Sequence, residues 1–223
     1  MLRTEVALGC RILDLEGQGD LVWGHVSARD PHGRGVWMKA AGHGFDEIAA
    51  EHVILVSWDG DVLEGDDRRH VEYPIHTELM RARPDVDAVV HTHAPWSVAF
   101  AATQEPLRPV SHEGTLFVPP DVARFTKTGD LILTPELGRE VAAAVGDRNA
   151  ALLVHHGIVT CGQDVVSAVM YAVFLERACR TNVRVLAAGG PRTWSSDAEA
   201  LAKRERVYSL QQAWDYLARR LER

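Results

Sequence analysis

Apolar residues recur along the chain in short bursts separated by Gly, Pro and Asp, and the spacing inside each burst decides between helix and strand. Val6, Ala7, Cys10, Leu13 and Leu15 fall at helical intervals within residues 3–17, and Gly17-Gln-Gly19 stops the pattern, so a first helix is expected there. Short β-rich pieces follow at Leu21-Val-Trp23, Val36-Trp-Met38, Val53-Ile-Leu-Val56 and, past a Trp58-Asp-Gly60 turn, Val62-Leu63. A helix from Pro74 to about Arg83 is bracketed by Pro74 near its first position and Pro84 just past its end, where a fixed φ and a missing N–H are tolerated. Val89 to His93 reads as a buried strand that runs into a further apolar helix through Ala102, and Leu131-Ile-Leu133 as another short strand. Pro135 to Val145 is amphipathic, Asp147-Arg-Asn149 is a turn, and Ala151-Leu-Leu-Val154 is a second apolar strand ending in His155-His156-Gly157. Asp164 is placed to cap a long helix to about Leu186, and Asp197–Arg223 reads as one amphipathic terminal helix.

Strands mixed with helices, without regular βαβ alternation and without a Gly-x-Gly-x-x-Gly loop, argue against a nucleotide-binding doubly wound fold. At 223 residues, with neither repeats nor a long linker, residues 1–223 are expected to form one domain. Hydrophobic residues at 46% and charged residues at 25% exclude a disordered, collagenous or coiled-coil chain. The 24 Lys plus Arg against 31 Asp plus Glu give a net charge of −7, whose field repels phosphate backbones and anionic membranes, so neither nucleic acid nor membrane is an expected partner. Cys10, Cys161 and Cys179 make neither a disulfide framework nor a zinc ribbon, and no window approaches the ~18 apolar residues of a membrane span. A soluble cytoplasmic protein is expected.

The 11 histidines change the picture, because they gather around the short apolar runs. His91 and His93 lie two apart on a predicted strand, so both imidazoles project to one face, about 7 Å apart at the Cα positions. That spacing suits two ligands of one metal, and equally a packed pair. His155 and His156 end the second apolar strand and point to opposite faces, so only one of them can add a third imidazole and leave an open metal position. Glu72 stands just before the Pro74 helix with His76 four residues on along one helical face, a place for a general base or for an acid that favours the helix dipole.

Three pieces occur in one order: Gly24-His-Val-Ser-Ala-Arg29; Glu72-Tyr-Pro-Ile-His76 with Pro84-Asp-Val-Asp-Ala-Val-Val-His-Thr-His93; and Leu152-Leu-Val-His-His-Gly157. Together they resemble the class II aldolase/adducin family, which includes fuculose-phosphate and rhamnulose-phosphate aldolases and ribulose-phosphate epimerase. The resemblance implies an α/β fold, a three-layer α/β/α sandwich around a mixed, largely antiparallel sheet. It also implies a homotetramer with active sites at subunit interfaces. His91, His93 and His156 match the family's metal-binding histidines and Glu72 its acid/base residue. The adducin branch lacks these ligands, so retention of all four implies the catalytic branch. Tyr208, Trp214 and Tyr216 of the terminal helix are candidates for interface or active-site groups, or for plain packing.

Departures from the family pattern shape the expected substrate. Sugar-phosphate members hold phosphate with an Asn, a Ser or Thr, and a Ser-Ser pair; the matching positions here are His25, Ala41 before Gly42, and His70-Val71. Alanine and valine cannot donate to phosphate oxygens. Lys39, Arg29, His25, Gly42 and His70 are expected to bind a different anion such as a carboxylate. His112 falls where sugar aldolases tend to carry a proton-transferring tyrosine, as a catalytic group or as a supporting one. The expectation is a divalent-metal C–C lyase, either aldolase or decarboxylase, acting on a small non-phosphorylated hydroxy-carbonyl or on a hydroxylated or aromatic carboxylate. Cleavage leaves an enolate whose charge a divalent cation stabilises. Zinc fits three imidazoles best, and manganese, cobalt or iron also fit. The alternatives are a sugar-phosphate aldolase or epimerase, a non-haem iron oxygenase using two of the histidines with Glu72, and an adducin-like non-catalytic module.

Overall fold

The computed structural model describes residues 1–207 and 209–222. In chain order the elements are α1 (Leu2–Leu15), β1 (His25–Arg29), β2 (Gly35–Lys39), β3 (Val53–Ser57), β4 (Val62–Glu64), α2 (Tyr73–Ala82), β5 (Ala88–Thr92), α3 (Pro95–Thr103), β6 (Ala123–Phe125), α4 (Pro135–Val145), β7 (Ala150–Leu153), β8 (Gly157–Gly162), α5 (Val165–Ala187), α6 (Asp197–Val207) and α7 (Leu210–Leu221). Two 3-10 turns, Ala50–His52 and Glu113–Leu116, lie between them. The eight strands form one sheet in the order β4-β3-β2-β1-β5-β8-β7-β6, antiparallel at every step except the parallel β6–β7 pair.

Alternation along the central strands separates two apolar layers. Val26, Leu55, Val90, Leu152 and Ile158 face a larger core with α1, α3, α5 and α7, where Val6, Ile12, Phe100, Phe174 and Trp214 are buried. Val36, Ile54, Val89, Leu153 and Val159 face a smaller core built with α2 and α4 from Ile75, Leu79, Val141 and Val145. The result is the expected three-layer sandwich. All three cysteines are free and buried, and burial pushes the Cys10 and Cys161 thiols up to about 12. No helix among the described residues is long and apolar enough to cross a membrane.

Local signals set several boundaries. Pro74 sits in the first turn of α2, and Thr134 Oγ1 accepts the Leu137 N–H to open α4. Asp164 accepts the Ser167 N–H at 2.7 Å and starts the 23-residue α5 as expected.

The structure corrects the sequence reading in four places. Leu21-Val-Trp23 is no strand; only an Asp20–Trp23 bridge forms there. Leu131-Ile-Leu133 has a strand-like alternation but no strand partner. The first helix ends at Leu15, short of residue 17. The single terminal helix is two, because Ser209 Oγ accepts the Gln212 N–H and starts a new one. Trp214 and Leu217 pack into the larger core, Tyr216 is exposed, and Tyr208 lies outside the described residues.

Candidate metal centre

The centre lies at the C-terminal end of β5 on the α2 face of the sheet. Val89 and His91 share that face by strand parity, and cross-strand pairing puts His91 opposite His25 on β1 and Val159 on β8. β7 and β8 are joined by Val154-His155-His156. His155 takes a left-handed φ of +65° and points to solvent, which turns His156 back toward β5. Gly157 then passes so close that a Cβ there would press into the Thr92 carbonyl oxygen and lie 3.1 Å from His93 and 3.2 Å from His91.

Ligand-type atoms of Glu72, His91, His93 and His156 lie within 4.8 Å of one another. The rings pack edge to face or tilted, with centroids 4.8 to 5.3 Å apart. Nε2 of His91, His93 and His156 is buried in each case without a hydrogen-bond partner among the described residues. Three orphaned buried nitrogens are costly unless something else takes their lone pairs. The outer nitrogens of two rings are fixed: His91 Nδ1 donates to the Ile158 carbonyl at 2.9 Å and His93 Nδ1 to Asp20 Oδ2 at 2.7 Å. Those bonds place the proton on Nδ1 and leave Nε2 as the donor atom for a cation. The residues therefore fit a divalent metal held by three imidazole nitrogens and one carboxylate.

Glu72 heads α2 yet spends nothing on capping it. Its Oε1 accepts the Ile132 N–H at 2.7 Å and lies 3.5 Å from His156 Nε2, while Oε2 is 3.8 Å from His91 Nε2. Burial pushes this carboxyl up, but the adjoining His156 and His91 rings and the Ile132 N–H outweigh it and hold the group down to about 2. Burial acts the other way on His91, which is lowered to about 3 and is neutral at pH 7.

A second set of imidazoles backs the first. The His25 ring is 5.0 Å from His91 and 4.4 Å from His70. His25 Nδ1 and His76 Nε2 are 2.6 Å apart, and His76 Nδ1 is 2.6 Å from Ser27 Oγ. His76 is thus paired with His25 and Ser27 rather than with Glu72, its helix neighbour. Lys39 is fully buried with Nζ 3.1 Å from the Val22 carbonyl and 3.3 Å from both the Ala40 carbonyl and His70 Nε2. Burial lowers Lys39 to about 8 and His70 to about 3, and drives His25 and His76 well below the usual imidazole range. This wall consists of neutral rings beside one ammonium group.

The expected site residues divide accordingly. Glu72, His91, His93 and His156 come together, with His25, His70 and Lys39 beside them; Gly42, at φ +90°, lies on the exposed loop after β2. Arg29 does not join them. It lies at the far end of β1, about 13 Å of strand from His25. Its Nε donates to Asp87 and its Nη2 to the carbonyls of Met80, Arg83 and Val86, so its donors brace the α2–β5 connection. His112 is exposed at the start of a 3-10 turn, beside a cleft shared with Trp194 and Lys203. Asp20, Ser27, His76 and Gly157 were not singled out as site residues from the sequence; their contacts with residues far away in the chain reveal them.

Residues 4–183 match the family model described as Class II Aldolase and Adducin N-terminal domain. The chain is 32% identical over 200 residues to 3,4-dihydroxyphthalate decarboxylase of Arthrobacter keyseri, covering 84% of this chain and 80% of that protein. It is 31% identical over 185 residues to the decarboxylase NovR of Streptomyces niveus, covering 82% and 68%. L-fuculose 1-phosphate aldolase from Glaciozyma antarctica PI12 superposes with a TM-score of 0.84 at 27% identity, over 99% of this chain and 86% of that one.

Proposed function

The chain belongs to the class II aldolase and adducin family, and on that premise we propose that it is a divalent-metal lyase that decarboxylates a small, non-phosphorylated, hydroxylated aromatic or hydroxy acid. Retro-aldol cleavage of a related hydroxy-carbonyl compound is the neighbouring reaction on the same machinery. The observation that carries the reading is the convergence of three orphaned Nε2 atoms and the Glu72 carboxylate within 4.8 Å. The relatives named as decarboxylases support the reaction type. Ala41 and Val71 support an unphosphorylated substrate, since neither side chain can donate to phosphate.

In this reading His91, His93 and His156 hold the cation, with zinc preferred by the ligand set over manganese, cobalt or iron. When bound, the metal supplies Lewis acidity that stabilises the electron pair left by C–C cleavage. Glu72 enters the reaction ionised, takes a proton from the substrate hydroxyl, and returns it to the carbon that loses CO₂. The His25 and His70 rings, with Lys39 and the Gly42 backbone beside them, line the place for the second acid group of the substrate, and the Lys39 ammonium supplies its counter-charge. His112 contributes from a neighbouring copy, in a homotetramer whose active sites lie between subunits. Residues 1–223 act as one domain, in a reducing cytoplasm where three buried thiols stay free.

Metal analysis tests this directly. Purified protein is expected to carry about one divalent ion per chain, and His91→Ala and His156→Ala to lose it; full occupancy in both variants overturns the proposal. Release of CO₂ from dihydroxybenzoates and dihydroxyphthalates without oxygen is the expected activity, and oxygen consumption in its place would point to the iron oxygenase alternative.

A further inference from the structure

The segment between α1 and β1 crosses beside the ligand cluster and is attached to it twice. Thr92 Oγ1 donates to Gln18 Oε1 at 2.7 Å, and two residues later Asp20 Oδ2 receives the His93 Nδ1 proton at 2.7 Å. Asp20 also closes the next turn, because its carbonyl accepts the Trp23 N–H at 2.9 Å. Within that turn Leu21 holds a left-handed φ of +49°, a conformation that needs outside support in a γ-branched residue. Lys39 Nζ reaches the Val22 carbonyl from below. Leu21 and Trp23 nevertheless expose 74% and 50% of their surface, so side-chain packing does not hold the turn; polar attachments do.

The attachment at Asp20 differs from that of the other ligands. His91 leans on a neutral backbone carbonyl, and neither ring nitrogen of His156 has a partner. His93 alone is backed by a carboxylate. Coordination at Nε2 makes the Nδ1 proton more acidic and strengthens its bond to an anion, and the carboxylate in turn makes Nε2 a better donor. The effect is reciprocal: whatever factor Asp20 adds to metal affinity, the metal adds to the Asp20–His93 bond.

Resting on the metal-lyase reading above, we propose that Asp20 is a positioning residue that fixes His93 for the cation and couples metal occupancy to the order of the apolar Leu21–Trp23 turn. The turn leads straight into His25, so the same coupling reaches the side of the cleft where the substrate's acid group would lie.

Zinc and cobalt(II) titrations of the metal-stripped full chain test the inference without any turnover measurement. Asp20→Asn is expected to bind about 10- to 100-fold more weakly and to shift the cobalt visible bands, with Asp20→Glu recovering much of the loss. In wild-type protein, amide exchange in residues 20–25 is expected to slow by about the same 10- to 100-fold on metal loading, and in Asp20→Asn to change little. Binding of Asp20→Asn within twofold of wild type, or metal-independent exchange in residues 20–25 of wild type, overturns the inference and leaves the lyase reading intact. Should Asp20→Asn fail to fold, the exchange comparison in wild type decides alone. Failure of wild-type protein to bind either ion overturns both.

Discussion

Glu72 is ionised in a place where burial alone would favour the neutral acid. The Ile132 N–H and two imidazoles hold it so, which makes it a base ready to take a proton rather than an acid waiting to give one. Glu72→Gln keeps the shape and an acceptor for Ile132 but cannot carry the proton. Metal retention with turnover reduced about 10²-fold or more is expected, and unchanged kcat would remove Glu72 from the reaction. At this scale much was readable beforehand. Strand parity placed His91 and His93 on one face, and the family resemblance added His156 and Glu72. Asp20, Ser27 and His76 were hidden because their meaning lies in side-chain partners far away in the chain, which no one segment reveals. Arg29 was misjudged for the same reason: its charge was visible, but its three carbonyl acceptors were not.

Among the elements, β5 and β7 stand out in the sequence as apolar runs, whereas β1 and β8 beside them do not. β1 turns His25 and Ser27 toward α2 and Val26 and Ala28 toward the larger core, so only two of its five residues are apolar and its alternation is too short to stand out. β8, Gly157-Ile-Val-Thr-Cys-Gly162, is bounded by glycines that read as loop. Leu131-Ile-Leu133 errs in the other direction: Ile132 is buried and its N–H goes to Glu72 instead of a neighbouring strand. The β7–β8 turn depends on Gly157, where any side chain meets Thr92, His91 and His93. Gly157→Ala is expected to cost about 1–3 kcal/mol through forced displacement and to weaken metal binding. Thermal melting and metal titration check this together; a variant matching wild type in both would mean that the turn gives way freely.

Taken whole, the molecule hides an unusual number of neutral imidazoles beneath one face of its sheet. His25, His70, His76 and His91 all have folded pKa values below the ordinary one, with His70 and His91 at about 3. An unfolded histidine titrates near 6.5, so between about pH 6.5 and the folded values the unfolded chain binds more protons. Stability is therefore full above about pH 6.5 and falls as the pH drops, by up to about 1.4 kcal/mol per pH unit for each histidine. Metal-stripped protein is expected to take up at least about two protons on unfolding at pH 5, one each for His70 and His91, with His25 and His76 adding in the same sense. The dependence of Tm on pH measures that number, and an uptake near zero would show that the rings are already charged in the folded state.

The ligands reach the centre from the head of α2, the end of β5 and the β7–β8 turn, so the full set comes together only once those elements have docked. Closing so wide a span comes first and is slow. On the metal-lyase reading, a cation would then meet a chain already past its folding barrier. It would act as a latch rather than a nucleus, and is expected to prolong the lifetime of the native form against escape while leaving the speed of refolding almost untouched.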